Sequence, residues 1–120
     1  MKILIVDDSR AMRRIIQRTL RQAGFTGLEV LEAGDGVEAF ELARDARPDL
    51  ILSDWHMPRM SGLEFKRALN EAGLGIPFGF VTSENTHEMR QLAEEAGADF
   101  LLAKPFTPED MSLALEAFVA

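Results

Sequence analysis

Residues 3–9 read ILIVDDS, a run of four apolar residues that ends at once in two carboxylates. Successive apolar residues without alternation indicate a strand buried on both faces, as happens when helices cover both sides of a parallel sheet. Further runs rich in Ile, Leu, Val and Phe occupy residues 28–33, 49–53, 76–82 and 100–103. The run at 28–33 is the most polar and is the best candidate for an edge strand. The sequence therefore predicts a sheet of five parallel strands.

Helical periodicity fills the stretches between these runs. Apolar side chains at i, i+3, i+4 and i+7 line one face of a helix. This spacing begins at Met12, Phe65, Met89 and Met111. A weaker pattern over residues 37–43 must end before Pro48. Strand and helix thus alternate five times, which predicts one three-layer, doubly wound α/β domain over residues 1–120.

Several residues mark the ends of the predicted helices. Ser61 with Glu64, and Asn85 with Glu88, have the spacing of a capping box at a helix start. Thr107 stands before a proline that suits the first helical position. The helix ends are marked by glycines that suit left-handed caps, namely Gly24, Gly73 and Gly97.

The composition excludes several classes of protein. Thirteen basic and twenty acidic residues give a net charge of −7, which opposes non-specific binding to nucleic acid, so no direct nucleic-acid partner is expected. Without cysteine there are no disulfides or thiolate metal sites. No apolar run approaches the roughly 18 residues of a membrane span, and Met1 leads directly into the first apolar run. We therefore expect a cytoplasmic protein that does not insert into membranes.

Positive charge is concentrated in one predicted helix. Residues 9–22 contain no Asp or Glu, and they carry Arg10, Arg13, Arg14, Arg18 and Arg21. This basic face is either a solvated helix surface or a docking surface for an acidic partner.

Polar side chains that could bind a metal or take part in a reaction lie at the ends of four predicted strands. Asp7 and Asp8 follow the first strand, Asp54 follows the third, Thr82 ends the fourth and Lys104 follows the fifth. Because parallel strands deliver their carboxyl ends to the same rim, we expect these side chains to converge. Clustered carboxylates resist ionising together unless a cation compensates them. An all-oxygen donor set with few carboxylates favours Mg²⁺ over Ca²⁺.

The chemistry that fits this set is phosphoryl transfer onto Asp54. A carboxylate can act as a nucleophile and form an aspartyl phosphate, which requires mainly in-line placement and charge stabilisation. Lys104 would pair with the phosphoryl oxygens, and the Thr82 hydroxyl would donate to one of them. Taken singly, Asp7 and Asp8 could cap the next helix, and the other three could be ordinary turn or strand residues. The joint pattern favours a functional site.

These motifs resemble the receiver domain of bacterial two-component response regulators over nearly the whole chain. They are VDDS at 6–9, DWHMPRMSG at 54–62, VTS at 81–83 and KPF at 104–106. The resemblance implies a strand order of 2-1-3-4-5 with five helices. It also implies that Asp54 is the phosphoacceptor, that a histidine kinase is the donor, and that the chain is a regulatory switch and not an enzyme.

Within this family, the segment MRRI at 12–15 and the pair Asp54-Trp55 look most like the single-domain chemotaxis regulators. That likeness implies a flagellar motor switch protein or a phosphatase as a partner. A monomer is expected.

The resemblance further implies how the metal is bound. Asp8 and Asp54 would bind Mg²⁺ directly, together with the backbone carbonyl of His56, while Asp7 would act through water. In the active state, Thr82 would move toward the phosphoryl group. The fourth helix, fifth strand and fifth helix would then change their affinity for a partner. A cis peptide bond is implied between residues 104 and 105.

Two positions depart from the family pattern. Family members often carry Tyr or Phe three residues before the lysine, where this chain has Leu101 preceded by Phe100. Because alternation points these two side chains to opposite faces of the strand, the usual coupling of threonine movement to aromatic burial is weakened. His56 stands where the chemotaxis regulators are expected to have Asn. Its side chain is expected to be exposed, and an influence on the lifetime of the phosphoryl group is the alternative.

Other functions share parts of this pattern. A phosphatase that works through an aspartyl phosphate would use the same nucleophile and Mg²⁺. It would also need a general acid and a substrate-enclosing cap, and neither is apparent. An interaction module that had lost phosphorylation would have no need of the retained acids. A phosphorelay intermediate, or a receiver detached from a longer regulator, keeps the chemistry and stays open.

Overall fold

The computed structural model describes residues 1–118 and places the five predicted strands in one parallel sheet. The strands are β1 (Lys2–Val6), β2 (Glu29–Ala33), β3 (Leu50–Ser53), β4 (Phe78–Thr82) and β5 (Phe100–Ala103). The helices between and after them are α1 (Arg10–Gln22), α2 (Gly36–Ala46), α3 (Gly62–Glu71), α4 (His87–Glu95) and α5 (Pro108–Leu115). The strand order β2-β1-β3-β4-β5 confirms the predicted doubly wound topology, with β2 at one edge.

The apolar runs are buried because helices cover both faces of the sheet. All four residues of the run at 3–6 are 0 % exposed. Leu4 and Val6 pack into a cluster that includes Phe65 of α3, whereas Ile3 and Ile5 pack on the opposite face. Burying one such side chain contributes about 1.5–3 kcal/mol to folding, so the burial of this run stabilises β1 in its place between β2 and β3.

Most predicted helix ends agree with the structure. Ser61 and Glu64 form the capping box of α3, and Thr107 caps α5. The three glycines expected at helix ends have positive φ angles of 72–95°.

The predicted capping box at the start of α4 was wrong by one residue. Thr86 is the N-cap, and its side chain accepts a hydrogen bond from the amide of Met89. Glu88 is therefore the second helical residue and not the third, so it cannot close the reciprocal bond. The side chain of Asn85 instead accepts a hydrogen bond of 2.9 Å from Arg90 Nε.

β4 is shorter than its apolar run. It begins at Phe78, two residues later than predicted, after Pro77, which has no amide hydrogen to donate. Gly79 follows, and a Cβ at this position would lie 2.1 Å from the Phe100 ring. The neighbouring strands thus lock together where a glycine makes room for an aromatic ring.

Alternation in β5 is as predicted. Phe100 packs against the cluster on the α1 and α5 side of the sheet, and Leu101 packs against the cluster on the other side. The aromatic side chain of β5 therefore faces away from the side that carries α4. Among residues 1–118, no helix is long and apolar enough to cross a membrane.

Candidate functional site

The acids after β1 and β3 lie side by side because these strands end level. Val6 pairs with Ser53 in the parallel register, so Asp7 and Asp54 are the next residues along each strand. The Asp54 amide donates to the Val6 carbonyl at 2.8 Å, and the Asp7 amide donates to the Ala33 carbonyl at 3.1 Å. The sheet's hydrogen bonds thus extend one residue past the strands and fix both acids at the rim.

Three carboxylates meet at this rim. Asp7, Asp8 and Asp54 each offer one oxygen, and these oxygens all lie within 4.8 Å of one another. Asp7 is 1 % exposed, Asp54 is half-buried and Asp8 is exposed to solvent. A hard divalent cation prefers such oxygen ligands, and it could contact two of them while reaching the third through water. The structure therefore brings together the three acids that were predicted to bind the metal.

Lys104 brings a positive charge to the same cluster. Its Nζ lies 2.9 Å from Asp7 Oδ2 and 3.6 Å from Asp54 Oδ2, with the side chain 14 % exposed. The Lys104 amide donates to the Thr82 carbonyl at 2.8 Å, which ties the end of β5 to the end of β4. The peptide bond that follows Lys104 is cis, as the resemblance implied.

The Asp54 carboxylate has one oxygen held and one facing the lysine. Its Oδ1 accepts a hydrogen bond of 2.7 Å from the Trp55 amide, and its Oδ2 is the oxygen nearest Lys104. Burial raises the pKa of the Asp54 carboxyl above its ordinary value, although Lys104 opposes this; the charge of Asp7 raises it further, and the Trp55 amide lowers it. The folded protein therefore resists the ionised form of this side chain more than the unfolded chain does.

Two residues pack close to Asp54 and restrict its position. A Cβ at Gly62 would lie 2.0 Å from the Asp54 carbonyl oxygen, so only glycine fits where α3 begins. Trp55 is 7 % exposed, and its ring centroid lies 4.6 Å from that of Phe80. The sequence places Gly62 in the motif at 54–62 but does not predict this contact, and a glycine at a helix start was the only signal for it.

Thr82 lies at the same rim but makes few polar contacts. Ser53 pairs with Phe80, so Thr82 extends slightly further along the sheet than Asp54. The residue is 0 % exposed, and within residues 1–118 its hydroxyl takes part in one hydrogen bond, accepted from the Glu84 amide at 3.4 Å. The structure thus places Thr82 at the site, and within residues 1–118 its hydroxyl makes no hydrogen bond to the Asp54 carboxylate or to the Lys104 ammonium.

The side chain of His56 is exposed, as expected. It is 61 % accessible, and its Nε2 lies 3.3 Å from Glu84 Oε1. The two side chains bridge the loop after β3 and the loop after β4. This contact was not foreseen, because the sequence places the two residues 28 positions apart.

The basic face of α1 divides into one residue at the site and four in solvent. Arg13 Nη1 donates to the Asp7 carbonyl at 2.6 Å, and Arg13 Nε lies 2.9 Å from Glu32 Oε1. The exposed arginines, which make no ion pair within residues 1–118, are Arg10, Arg14, Arg18 and Arg21. Nothing in the sequence distinguishes Arg13 from the other four arginines.

Comparison with known proteins places this geometry in context. Residues 3–116 match the family described as "Response regulator receiver domain". The chain is 39 % identical over 119 residues to the response regulator MprA of Mycobacterium avium, covering 99 % of this chain and 51 % of the relative. The MprA protein of Mycobacterium leprae is 40 % identical over the same length and coverage. The chain thus spans about half the length of the curated relatives it matches.

Solved structures give the same family. The chemotaxis protein CheY4 of Vibrio cholerae superimposes with a TM-score of 0.86 at 38 % identity, covering 98 % of each chain. The signal receiver domain of the putative response regulator NarL from Mycobacterium tuberculosis has a TM-score of 0.86 at 26 % identity, covering 97 % of this chain and 93 % of that one.

Proposed function

This chain belongs to the response regulator receiver domain family, and from that premise we propose that Asp54 accepts a phosphoryl group with the help of Mg²⁺. Receiver domains take this group from a histidine kinase. The observation that carries the proposal is the meeting of three carboxylates and the Lys104 ammonium at one rim of the sheet. Both carboxylate oxygens of Asp7 accept hydrogen bonds, from the Ser9 amide and from Lys104 Nζ, whereas Oδ2 of the half-buried Asp54 lies 3.6 Å from Lys104 Nζ.

The donor set suits Mg²⁺. Asp8 and Asp54 would hold the ion with the backbone carbonyl of His56, and Asp7, whose Oδ2 is already paired with Lys104, would reach it through water. When bound, the ion would neutralise negative charge on the phosphoryl oxygens and on the clustered carboxylates. The side-chain ligand atoms that this cluster offers are carboxylate oxygens, and a hard cation prefers oxygen ligands.

The protein's own groups would position the reaction. The Trp55 amide fixes Asp54 Oδ1, which leaves Oδ2 to attack phosphorus. A bond forms between this oxygen and phosphorus while the donor's bond to phosphorus breaks. Lys104, now 3.6 Å from Oδ2, would pair with an oxygen of the incoming group. The acyl phosphate that forms carries more negative charge than the carboxylate it replaces, and Lys104 and the bound cation would offset this charge.

The response would be a change of conformation. The Thr82 hydroxyl, held by one bond of 3.4 Å, can turn toward a phosphoryl oxygen. Its displacement would alter the surface formed by α4, β5 and α5. Leu101, and not an aromatic residue, lies on that side of β5. The side chain that responds to the displacement of Thr82 would therefore be smaller than in family members with an aromatic residue there. The phosphoryl group would be lost slowly to water, so the protein acts as a timed switch and not as an enzyme with turnover.

Two outputs remain as candidates. The match to CheY4 over 98 % of both chains favours chemotaxis, with the flagellar motor switch protein or a phosphatase as a partner. The match to half of the MprA proteins favours a receiver that works with a further output domain, or an intermediate in a phosphorelay. Binding of the phosphorylated chain to motor switch protein would support the first; phosphoryl transfer from the chain to a histidine phosphotransfer domain would support a relay.

Intact mass spectrometry tests the phosphoacceptor proposal. The chain is incubated with acetyl phosphate and Mg²⁺, and we expect the mass of one added phosphoryl group. Asp54→Asn and an excess of chelator should each remove this product. Asp45→Asn, on the exposed surface of α2, is the matched control and should be phosphorylated normally. A product that persists in Asp54→Asn would contradict the proposal.

A further inference from the structure

Asp8 is the least supported of the three clustered acids. It is exposed, and within residues 1–118 its carboxylate accepts no hydrogen bond from another residue. The direction of its side chain therefore depends on its backbone. The peptide group that precedes Asp8 includes the carbonyl of Asp7, so whatever holds that carbonyl also orients Asp8.

Arg13 holds this carbonyl. Its Nη1 donates to the Asp7 oxygen at 2.6 Å, and its Nε donates to Glu32 Oε1 at 2.9 Å. The side chain is only 17 % exposed, although it belongs to the basic face of α1. One guanidinium thus connects the first turn of α1, the loop after β1 and the end of the edge strand β2.

We infer that Arg13 is a positioning residue for metal binding: by fixing the Asp7–Asp8 peptide, it aims the Asp8 carboxylate at the cation. The inference rests on the proposed function, because it concerns the same Mg²⁺ site. It adds a residue that neither binds the ion nor contacts the phosphoryl group. Groups that orient metal ligands in this way contribute roughly tenfold or more to metal affinity.

Charge and geometry predict opposite effects at this position. Arg13 is a cation near three carboxylates, so its charge repels Mg²⁺. If charge were the only effect, Arg13→Met would bind Mg²⁺ more tightly. Its hydrogen bond to the Asp7 carbonyl has the opposite effect, because its loss would release Asp8. Arg13→Lys keeps the charge but loses the planar fork that contacts Asp7 and Glu32 together. A weaker affinity in both variants would therefore identify geometry as the cause.

The experiment titrates the full chain with Mg²⁺ and follows Trp55 fluorescence, with isothermal calorimetry as a second readout. We expect Arg13→Lys and Arg13→Met to bind Mg²⁺ roughly tenfold more weakly than the wild type. Arg18→Met is the matched control, because it removes the same charge from an exposed position of the same helix. Its affinity should stay within about twofold of the wild type, as expected for a screened surface charge.

A second variant keeps the inference testable if the Arg13 variants do not fold. Glu32→Ala frees the guanidinium from β2, and it should weaken Mg²⁺ binding more than Glu29→Ala, which removes the same charge from the start of that strand, away from the site. Unchanged or tighter binding in the Arg13 variants, or equal effects of the two glutamate variants, would overturn the role of Arg13. A wild type that binds no Mg²⁺ by either readout would overturn the proposed function and this inference with it.

Discussion

The two halves of the rim are held in very different ways. Asp7, the residue after β1, uses its amide, its carbonyl and both carboxylate oxygens in hydrogen bonds of 2.6–3.1 Å. Thr82, at the end of β4, is just as buried, but its hydroxyl takes part in a single bond of 3.4 Å within the described chain. The half that would bind the cation is therefore preorganised, and the half that would respond to phosphorylation is left able to rearrange.

This difference suits a switch. Binding groups gain affinity when the folded chain has already ordered them, because less entropy is lost on binding. A responding group must instead have a second arrangement of similar free energy. Strong bonds at Asp7, after β1, and a weak one at Thr82, at the end of β4, meet both requirements on the two strands that flank β3.

The largest effect is expected from Lys104→Met. Removing the ammonium takes away a cation that would stabilise the transferring group, so phosphorylation by acetyl phosphate should slow by roughly 100-fold or more. The same change removes a positive charge beside Asp7 and Asp54, so the affinity for Mg²⁺ should hold or increase. Intact mass measures the rate, and Trp55 fluorescence measures the metal.

Lys2→Met is the control for this prediction, because Lys2 lies at the other end of the sheet, where it contacts Glu29 and Ala46. Lys104→Met with an unchanged rate would mean that this lysine neutralises Asp7 and takes no part in the reaction.

The next largest effect is expected at Gly62, where the start of α3 contacts the backbone of Asp54. Gly62→Ala would force a Cβ to within 2.0 Å of the Asp54 carbonyl, so the backbone must shift at an estimated cost of about 2–3 kcal/mol in unfolding free energy. Gly75→Ala is matched, since an added Cβ there meets no atom within 4 Å. Urea denaturation of both variants measures the difference, and equal midpoints would show that α3 does not press on Asp54.

Asp54→Asn should stabilise the protein when no divalent cation is present, by roughly 1 kcal/mol. Burial, aided by Asp7, raises the pKa of the Asp54 carboxyl, so the folded state binds this proton more tightly than the unfolded chain does. This contribution to stability is present at acid pH and is lost as pH rises through the raised pKa. The variant's advantage should therefore be larger at pH 7 than at pH 3.5.

Thermal melts in chelator at both pH values test this sign. Excess Mg²⁺ should then stabilise the wild type more than the variant, because the ion binds the folded state that retains all three acids. A wild type that is more stable than Asp54→Asn at neutral pH without metal would contradict the raised pKa.

The smallest effect on stability is expected from Thr82→Val. The hydroxyl makes one long bond, so its loss should change the unfolding free energy by less than about 1 kcal/mol. Phosphorylation should persist, whereas the change in the α4, β5 and α5 surface should be lost. Amide hydrogen exchange over α4, with and without phosphorylation, measures this. A large loss of stability would show that Thr82 is held as firmly as Asp7.

The sequence predicted the fold well where one physical cause dominates. Apolar runs without alternation require burial on both faces, and β5 has the predicted limits, residues 100–103. Boundaries failed where two neighbours could serve equally: Asn85 and Thr86 are both good caps, and only the backbone geometry selects Thr86. β4 began late because its apolar run contains a proline.

The convergence of the acids followed from topology, because parallel strands share one rim. The contacts of Arg13 and Gly62 did not follow, since they depend on how α1 and α3 are rotated against the sheet. Five arginines look alike along residues 9–22, and only the packed helix shows which one reaches the Asp7 carbonyl.

Reductive trapping tests the central claim most directly. Borohydride converts a phosphorylated aspartate into homoserine, and peptide mass spectrometry then locates the modified residue. After incubation with acetyl phosphate and Mg²⁺, we predict homoserine at position 54 and at no other aspartate. Homoserine at position 7 or 8, or none in a sample whose intact mass shows an added phosphoryl group, would contradict the assignment of Asp54 as the acceptor.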